Sequence, residues 1–325
     1  MRTEPRFPGL ERRDAHYESF YLKATRPTGG LGIWIRHTVE KRPNENATAA
    51  IWLTVFDADA PAPTAARQAF GPEDVSAPDD AFIRVGDSVL EPDRATGVIS
   101  AGGVPSSWDI AFDAAGEPFH HLPYERLYRA RLPRTKLLSP YPSARFDGSL
   151  RVGGKEIAID AWPGMVGHNW GTEHAERWVW IQGPTLDGRD ESCFDFAAGQ
   201  IRIGPLTSPW LGNGVLRIGG EEHRLGGLGF FTTKVVETPT RCEFRVSGDG
   251  VRVGGRVSAE PKDVVRWIYE DPKGPEHNVL NCSIADLELE VERDGRTERF
   301  EARGTAAYEL GIPRGAAVAE APAAS

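Results

Sequence analysis

Met165-Val166-Gly167-His168-Asn169-Trp170-Gly171-Thr172-Glu173-His174-Ala175-Glu176-Arg177-Trp178-Val179-Trp180 gathers three tryptophans, two histidines and two carboxylates into sixteen residues at the middle of the chain. Both of its flanks read as strands. Arg177-Trp178-Val179-Trp180-Ile181-Gln182 alternates in the period of two that puts successive side chains on opposite faces of a sheet. Gly164, Gly167 and Gly171 predict a bulged or kinked strand on the other side, since glycine permits close backbone approach. Aromatic bulk, titratable groups and a permissive backbone suit a buried ligand site. They suit a tryptophan-rich core corner equally well.

Working outward, hairpin dipeptides punctuate the second half: Asp147-Gly148, Gly153-Gly154, Asp187-Gly188, Gly219-Gly220, Asp249-Gly250, Gly254-Gly255 and Asp294-Gly295. Type I′ turns need positive φ at both central residues, which favours these pairs. Strand-like runs flank them, as in Ser149-Leu150-Arg151-Val152 and Glu156-Ile157-Ala158-Ile159-Asp160. Upstream, Ser19-Phe20-Tyr21-Leu22-Lys23, the run 32–39 and the run 50–56 read as the first strands of a meander, followed by an Ala/Pro surface loop over 57–66. A Pro- and Arg-rich connector over 117–142 leads to a hairpin over 146–162 and then to the central stretch. No helical periodicity extends over a dozen residues; Leu122-Pro123-Tyr124-Glu125-Arg126-Leu127-Tyr128 is the best short-helix candidate.

The fold class expected is therefore all-β. Antiparallel meanders remove exposed edges by closing into barrels, and 325 residues suffice for two barrels of about eight strands each. We divide the chain into an N-terminal barrel over 1–182 that includes the central stretch, a C-terminal barrel over 183–312, and a disordered Ala/Pro-rich tail over 313–325.

Composition narrows the function. A net charge of −9 argues against nucleic acid as a partner. No apolar run approaches the ~20 residues of a transmembrane helix, and the first residues lack a signal-peptide core. Cys193, Cys242 and Cys282 are odd in number and far apart, which fits a reducing cytoplasm better than a disulfide framework. No phosphate loop, dinucleotide fingerprint or nucleophile elbow is present.

At Phe20-Tyr21-Leu22-Lys23, Trp34-Ile35-Arg36, Gly167-His168-Asn169-Trp170-Gly171 and Trp178-Val179-Trp180 the chain resembles a known superfamily. It contains hydroxyneurosporene synthase (carotenoid 1,2-hydratase), tocopherol cyclase and the AttH-like proteins; fungal decalin-forming pericyclases are similar. The resemblance covers most of residues 15–310. It implies two lipocalin-like β-barrels in tandem, with an apolar pocket in or between them. Members often carry Gly-x-x-Trp followed by an acidic residue, a polar or basic residue and another tryptophan. Gly167, Trp170, Glu173, His174 and Trp178 answer to this, with wider spacing before the second tryptophan.

Glu173 is the leading candidate for a general acid, because an apolar aromatic pocket can keep a carboxylic acid protonated. Its alternative role is a solvated residue or an ion pair with Arg177; Asp160 and Asp195 are the fallback acids. His168 and His174 are candidates to orient the proton or activate water, and less readily to form a metal triad with Glu173. Trp170, Trp178 and Trp180 are expected to line the ligand site with Asn169, Tyr21 and Trp34, their π faces shielding a cation. His120-His121 reads as surface loop, and Lys23 as outward-facing unless a carboxylate such as Asp160 or Glu173 meets it.

Together these readings predict an enzyme, free of cofactor, metal and nucleotide, that acts on a hydrophobic terpenoid, polyketide or aromatic small molecule in a barrel pocket. Proton-initiated cyclisation, hydration or isomerisation is the expected chemistry. The alternative is a lipocalin-like carrier or sensor of an apolar ligand.

Overall fold

The computed structural model describes residues 3–100, 104–114, 116–227, 233–313 and 315. Two large antiparallel sheets hold nearly all of the strands. The first runs, in spatial order, through Thr64–Phe70, Thr48–Asp57, Leu31–Lys41, His16–Thr25, Lys155–Gly171, Thr135–Val152, Ser106–Ala114, Arg94–Ile99, Ser88–Leu90, Ile83–Val85 and Val75–Ser76. The second runs through Glu221–Gly226, Leu211–Ile218, Cys193–Gln200, Arg177–Gly183, Arg296–Pro313, His277–Arg293, Val251–Ser258, Arg241–Gly248 and Lys234–Thr238. The architecture is all-β, two lipocalin-like barrels in tandem. The first sheet curls until Ser100, just past Arg94–Ile99, donates its N–H to Oε1 of Gln68 on the edge strand Thr64–Phe70 at 2.9 Å. In the second, the strand ending at Gly248 folds against Arg224, whose backbone N–H donates to Asp249 Oδ2 at 3.1 Å.

Sheet membership changes after Gly171, so the strand Arg177–Gly183 with Trp178 and Trp180 belongs to the second sheet and not to a first unit ending at residue 182. The last strand ends at Pro313; residues 314 and 316–325 of the expected tail lie outside the described residues. Five of the seven dipeptides sit between strands with positive φ at both positions, as at Gly153 (55°) and Gly154 (85°). The other two do not form turns. Asp147-Gly148 runs on within Thr135–Val152, opposite a bulge in Lys155–Gly171: between the pairs Phe146/Trp162 and Gly148/Ile159 that strand uses one residue more, with Ala161 at φ 49°. Gly254-Gly255 lies inside Val251–Ser258, with Phe244 packed where a Gly255 side chain would be.

The helix expected near residue 122 spans Glu125–Arg129. Among the described residues no helix is long and apolar enough to cross a membrane.

The strands between the barrels are buried on both faces. On His16–Thr25, Phe20, Leu22 and Ala24 join the core of the first barrel with Ile33, Ile35, Ile51 and Leu53. The opposite face of the same strands carries Tyr21, Trp34, Trp52 and Phe56, which pack on the core of the second barrel. Apolar side chains on both faces of a strand identify it as an interior wall. The candidate site lies along this wall.

Candidate functional site between the barrels

A cavity of about 540 Å3 opens between the sheets, roofed by the segment 121–127 that leads into the short helix. Its position follows from which residues face outward from each barrel. On Arg177–Gly183, Val179 and Ile181 enter the second barrel's core, which turns Trp178 and Trp180 toward the first barrel. Tyr17, Tyr21, Trp34 and Arg36 look back at them from the first sheet. The pocket expected inside a barrel is thus a seam between two.

Two glycines shape its walls. Gly167 is registered opposite Tyr21, and an added Cβ would sit 2.1 Å from the Tyr21 ring. Gly311 is opposite Trp178, with its ring at the same 2.1 Å from a hypothetical Cβ. Both rings lie flat across backbone that only glycine leaves bare. Gly164, Gly167 and Gly171 accordingly sit in regular pairing with His16–Thr25; two bulges fall on the neighbouring strand, between Leu138 and Ala144, and the bulge on their own strand lies before Trp162, away from all three.

The predicted site residues separate into two groups. Tyr21, Trp34, Asn169, His174, Trp178 and Trp180 all line the cavity. Asn169 Oδ1 accepts from Ser19 Oγ at 2.7 Å. The His174 ring stacks between Tyr17 (3.9 Å) and Trp178 (5.5 Å). Burial, followed by the nearby His277 and Arg36 charges, holds His174 well below the ordinary imidazole range, so its ring is neutral near pH 7.

Glu173, His168 and Trp170 stand elsewhere. Glu173 pairs with Arg134, not Arg177, with its side chain 26% exposed. It is not among the residues lining the cavity. His168 is buried on the first barrel's side, where its Nε2 meets Glu18 Oε1 at 2.7 Å and its ring stacks on Phe20 at 3.9 Å. Trp170 packs with Leu122, Tyr128 and Leu138. The three groups of the metal triad considered from sequence therefore do not converge. Asp160 is exposed.

The structure brings a different set to the wall. His121, read from sequence as surface loop, is 3% exposed and lines the cavity. Its Nε2 lies 3.0 Å from Ser139 Oγ and 3.3 Å from Asp195 Oδ2. Ser139 Oγ donates to Asp195 Oδ2, and Trp180 Nε1 donates to Oδ1 at 3.0 Å. Burial alone would raise the Asp195 pKa. The His121 charge and the hydrogen bonds from His121, Ser139 and Trp180 outweigh it and hold the carboxyl below its ordinary range. Nδ1 of His121 has no partner among the described residues.

Glu309 is a carboxylate on the cavity lining itself, whereas Asp195 stands behind His121. It accepts from Trp178 Nε1 (2.9 Å), Tyr269 OH (3.2 Å) and Asn281 Nδ2 (3.1 Å). A common signal marks both acids: each is a lone carboxylate within an apolar strand, Cys193-Phe194-Asp195-Phe196 and Ala307-Tyr308-Glu309-Leu310. His121 carried no such signal, because its carboxylate partner is supplied by a different barrel.

Lys23 also departs from expectation. It is fully buried, and its ammonium donates to the Thr305 carbonyl and to Gln182 Oε1 (3.3 Å), both on the second sheet, with neither Asp160 nor Glu173 involved.

Two β-barrels in tandem define the class of fold. Solved structures of this class include an AttH-type protein of Nitrosomonas europaea (TM-score 0.54, 15% identity, 94% of this chain and 96% of that one). Kievitone hydratase from Nectria haematococca aligns with TM-score 0.52 and 11% identity over 93% of this chain and 89% of its own. CghA gives the same TM-score, 0.52, and 11% identity, over 94% and 89%. The chain shares the fold of these AttH-like and hydratase-type proteins. In sequence, an uncharacterized protein of Mycobacterium tuberculosis is 28% identical over 315 residues, covering 95% of this chain and 89% of its own length. No family model matches.

Proposed function

We propose that the protein is a cofactor-independent enzyme that moves a proton to or from a hydrophobic small molecule held between the barrels. Cyclisation, hydration and isomerisation of a terpenoid, polyketide or aromatic substrate all fit this description. The observation that carries the proposal is a buried imidazole on the cavity wall, backed by an ionised carboxylate and with its other nitrogen unpartnered.

Asp195, held ionised, is unsuited to be the acid itself. It fixes His121 with Nε2–H toward the carboxylate, leaving Nδ1 to exchange a proton with the substrate. The negative charge of Asp195 compensates the ring while it is protonated. The Trp178 and Trp180 faces offer ~0.5–2 kcal/mol each to a cationic intermediate. Among the solved structures that share the fold, kievitone hydratase is a hydratase by name, which lends the reading its context.

Solvent deuterium tests this with the substrate still unidentified. The enzyme is incubated with a hydrophobic metabolite extract in deuterated water, and products are searched by mass spectrometry for incorporated deuterium. His121→Gln and Asp195→Asn are expected to lower incorporation by ~10²–10⁴-fold with the fold retained by circular dichroism, and Glu173→Gln to leave it unchanged. Loss in Glu173→Gln alone would return the acid role to Glu173. Tight retention of one extract component, unchanged, would favour a carrier.

A further inference from the structure

Arg36 is a buried cation in the cavity wall. It is 4% exposed, lies on Leu31–Lys41 facing the second sheet, and its guanidinium carbon stands 3.9 Å from the Tyr269 ring centroid and 5.7 Å from that of Trp52. The guanidinium donates a hydrogen bond to the Tyr269 side chain, but Nε and Nη1 have no hydrogen-bond partner among the described residues. Glu309, in the same cavity, takes its three hydrogen bonds from Trp178, Tyr269 and Asn281. Close by, Tyr17 lines the cavity, its hydroxyl beside Thr135.

Burying a guanidinium with free donors costs several kcal/mol unless something accepts from it. Aromatic faces recover part of that cost and hold the plane of the group. What remains is a fixed guanidinium fork with free N–H donors on Nε and Nη1, which an oxygen anion satisfies by a charge-assisted hydrogen bond. The remaining wall, from Leu122, Leu127, Leu132, Ile201 and Leu211, is apolar.

We infer that the ligand of this cavity is an amphipathic molecule bearing an oxygen anion, a carboxylate or an enolate, which Arg36 anchors with the Tyr17 hydroxyl while the apolar body fills the seam toward the helix. The inference rests on the cavity being the ligand site proposed above, and it assigns the substrate class: hydrophobic acids in place of neutral hydrocarbons. In this arrangement Arg36 positions the substrate, and the proton transfer is left to His121.

The purified full-length chain is titrated with decanoate and, separately, with decanol at pH 8, following tryptophan fluorescence and calorimetry. Decanoate is expected to bind about ten- to a hundredfold tighter than decanol. Arg36→Gln should abolish that preference and leave decanol affinity in place; Arg36→Lys should keep part of it, a point charge replacing the fork. Equal affinity of the unsubstituted protein for the two, or binding of neither, overturns the inference without reference to any variant. So does a preference that survives in Arg36→Gln. The same pair measured on His121→Gln separates the two proposals: the decanoate preference persists there even where turnover is lost, and its disappearance would place the anion site at His121 instead.

Discussion

Glu18 illustrates what a buried ionisable residue requires. It is fully buried, yet accepts backbone N–H groups of Arg6 (2.9 Å) and Phe7 (2.8 Å) and faces His16 Nε2 (3.2 Å) and His168 Nε2 (2.7 Å). Burial pushes its pKa up, but the hydrogen bonds and charges of His16 and His168 outweigh burial and bring it from 4.5 to about 2. A carboxyl whose folded value is depressed contributes stability above the unfolded value and loses it as pH falls through the folded one. The window is therefore pH 4.5 down to about 2. Urea unfolding across that window should show the unsubstituted protein losing on the order of 3 kcal/mol more than Glu18→Gln. Parallel pH dependence in the two would show that Glu18 titrates alike in both states.

At the scale of elements, the strands near the cavity are distinguished by where glycine faces an aromatic ring. Gly167→Ala and Gly311→Ala should drive the Tyr21 and Trp178 rings into the cavity, costing ~1–3 kcal/mol by overpacking and weakening ligand binding. Gly254→Ala is the control. It too lies inside a strand, but the nearest atom to an added Cβ is Arg245 Cγ at 4.0 Å. Relief of glycine's chain entropy should make it neutral or stabilising. Thermal unfolding of the three variants decides, and a Gly167→Ala protein as stable as Gly254→Ala would mean that the Tyr21 ring moves aside freely.

At the scale of the molecule, Lys23 joins the barrels, reaching from the first sheet to Thr305 and Gln182 on the second. Burial lowers its pKa from 10.5 to about 7, with the neighbouring Cys282 acting in the opposite direction. Here the unfolded chain binds the extra proton between the two values. The Lys23 contribution therefore rises as pH climbs from about 7 toward 10.5 and is least below that window. The unfolding free energy of the unsubstituted protein minus that of Lys23→Met should grow from pH 7 to pH 10, other titrations cancelling in the difference. A flat difference would show that Lys23 keeps its ordinary proton affinity between the barrels.

Much of this architecture is written locally. Strand alternation and paired turn residues depend on near neighbours, so the all-β class, most hairpins and the short helix Glu125–Arg129 were legible from the chain alone. So was the aromatic wall, because Trp178 and Trp180 must share a face whichever way it points. The identity of that face was not legible. It depends on the change of sheet after Gly171, and hence on pairing with Arg296–Pro313, more than a hundred residues away. Local pattern likewise could not separate a turn from a continuing strand at Asp147-Gly148, since the bulge that faces it lies on the partner strand and both accept a glycine with positive φ. The polar set was least legible. His121, Ser139 and Asp195 come from a loop, one sheet and the other, and of the three Asp195 alone stands out among its sequence neighbours. Only docking the two barrels excludes water from them and turns an isolated carboxylate in an apolar strand into the partner of a histidine.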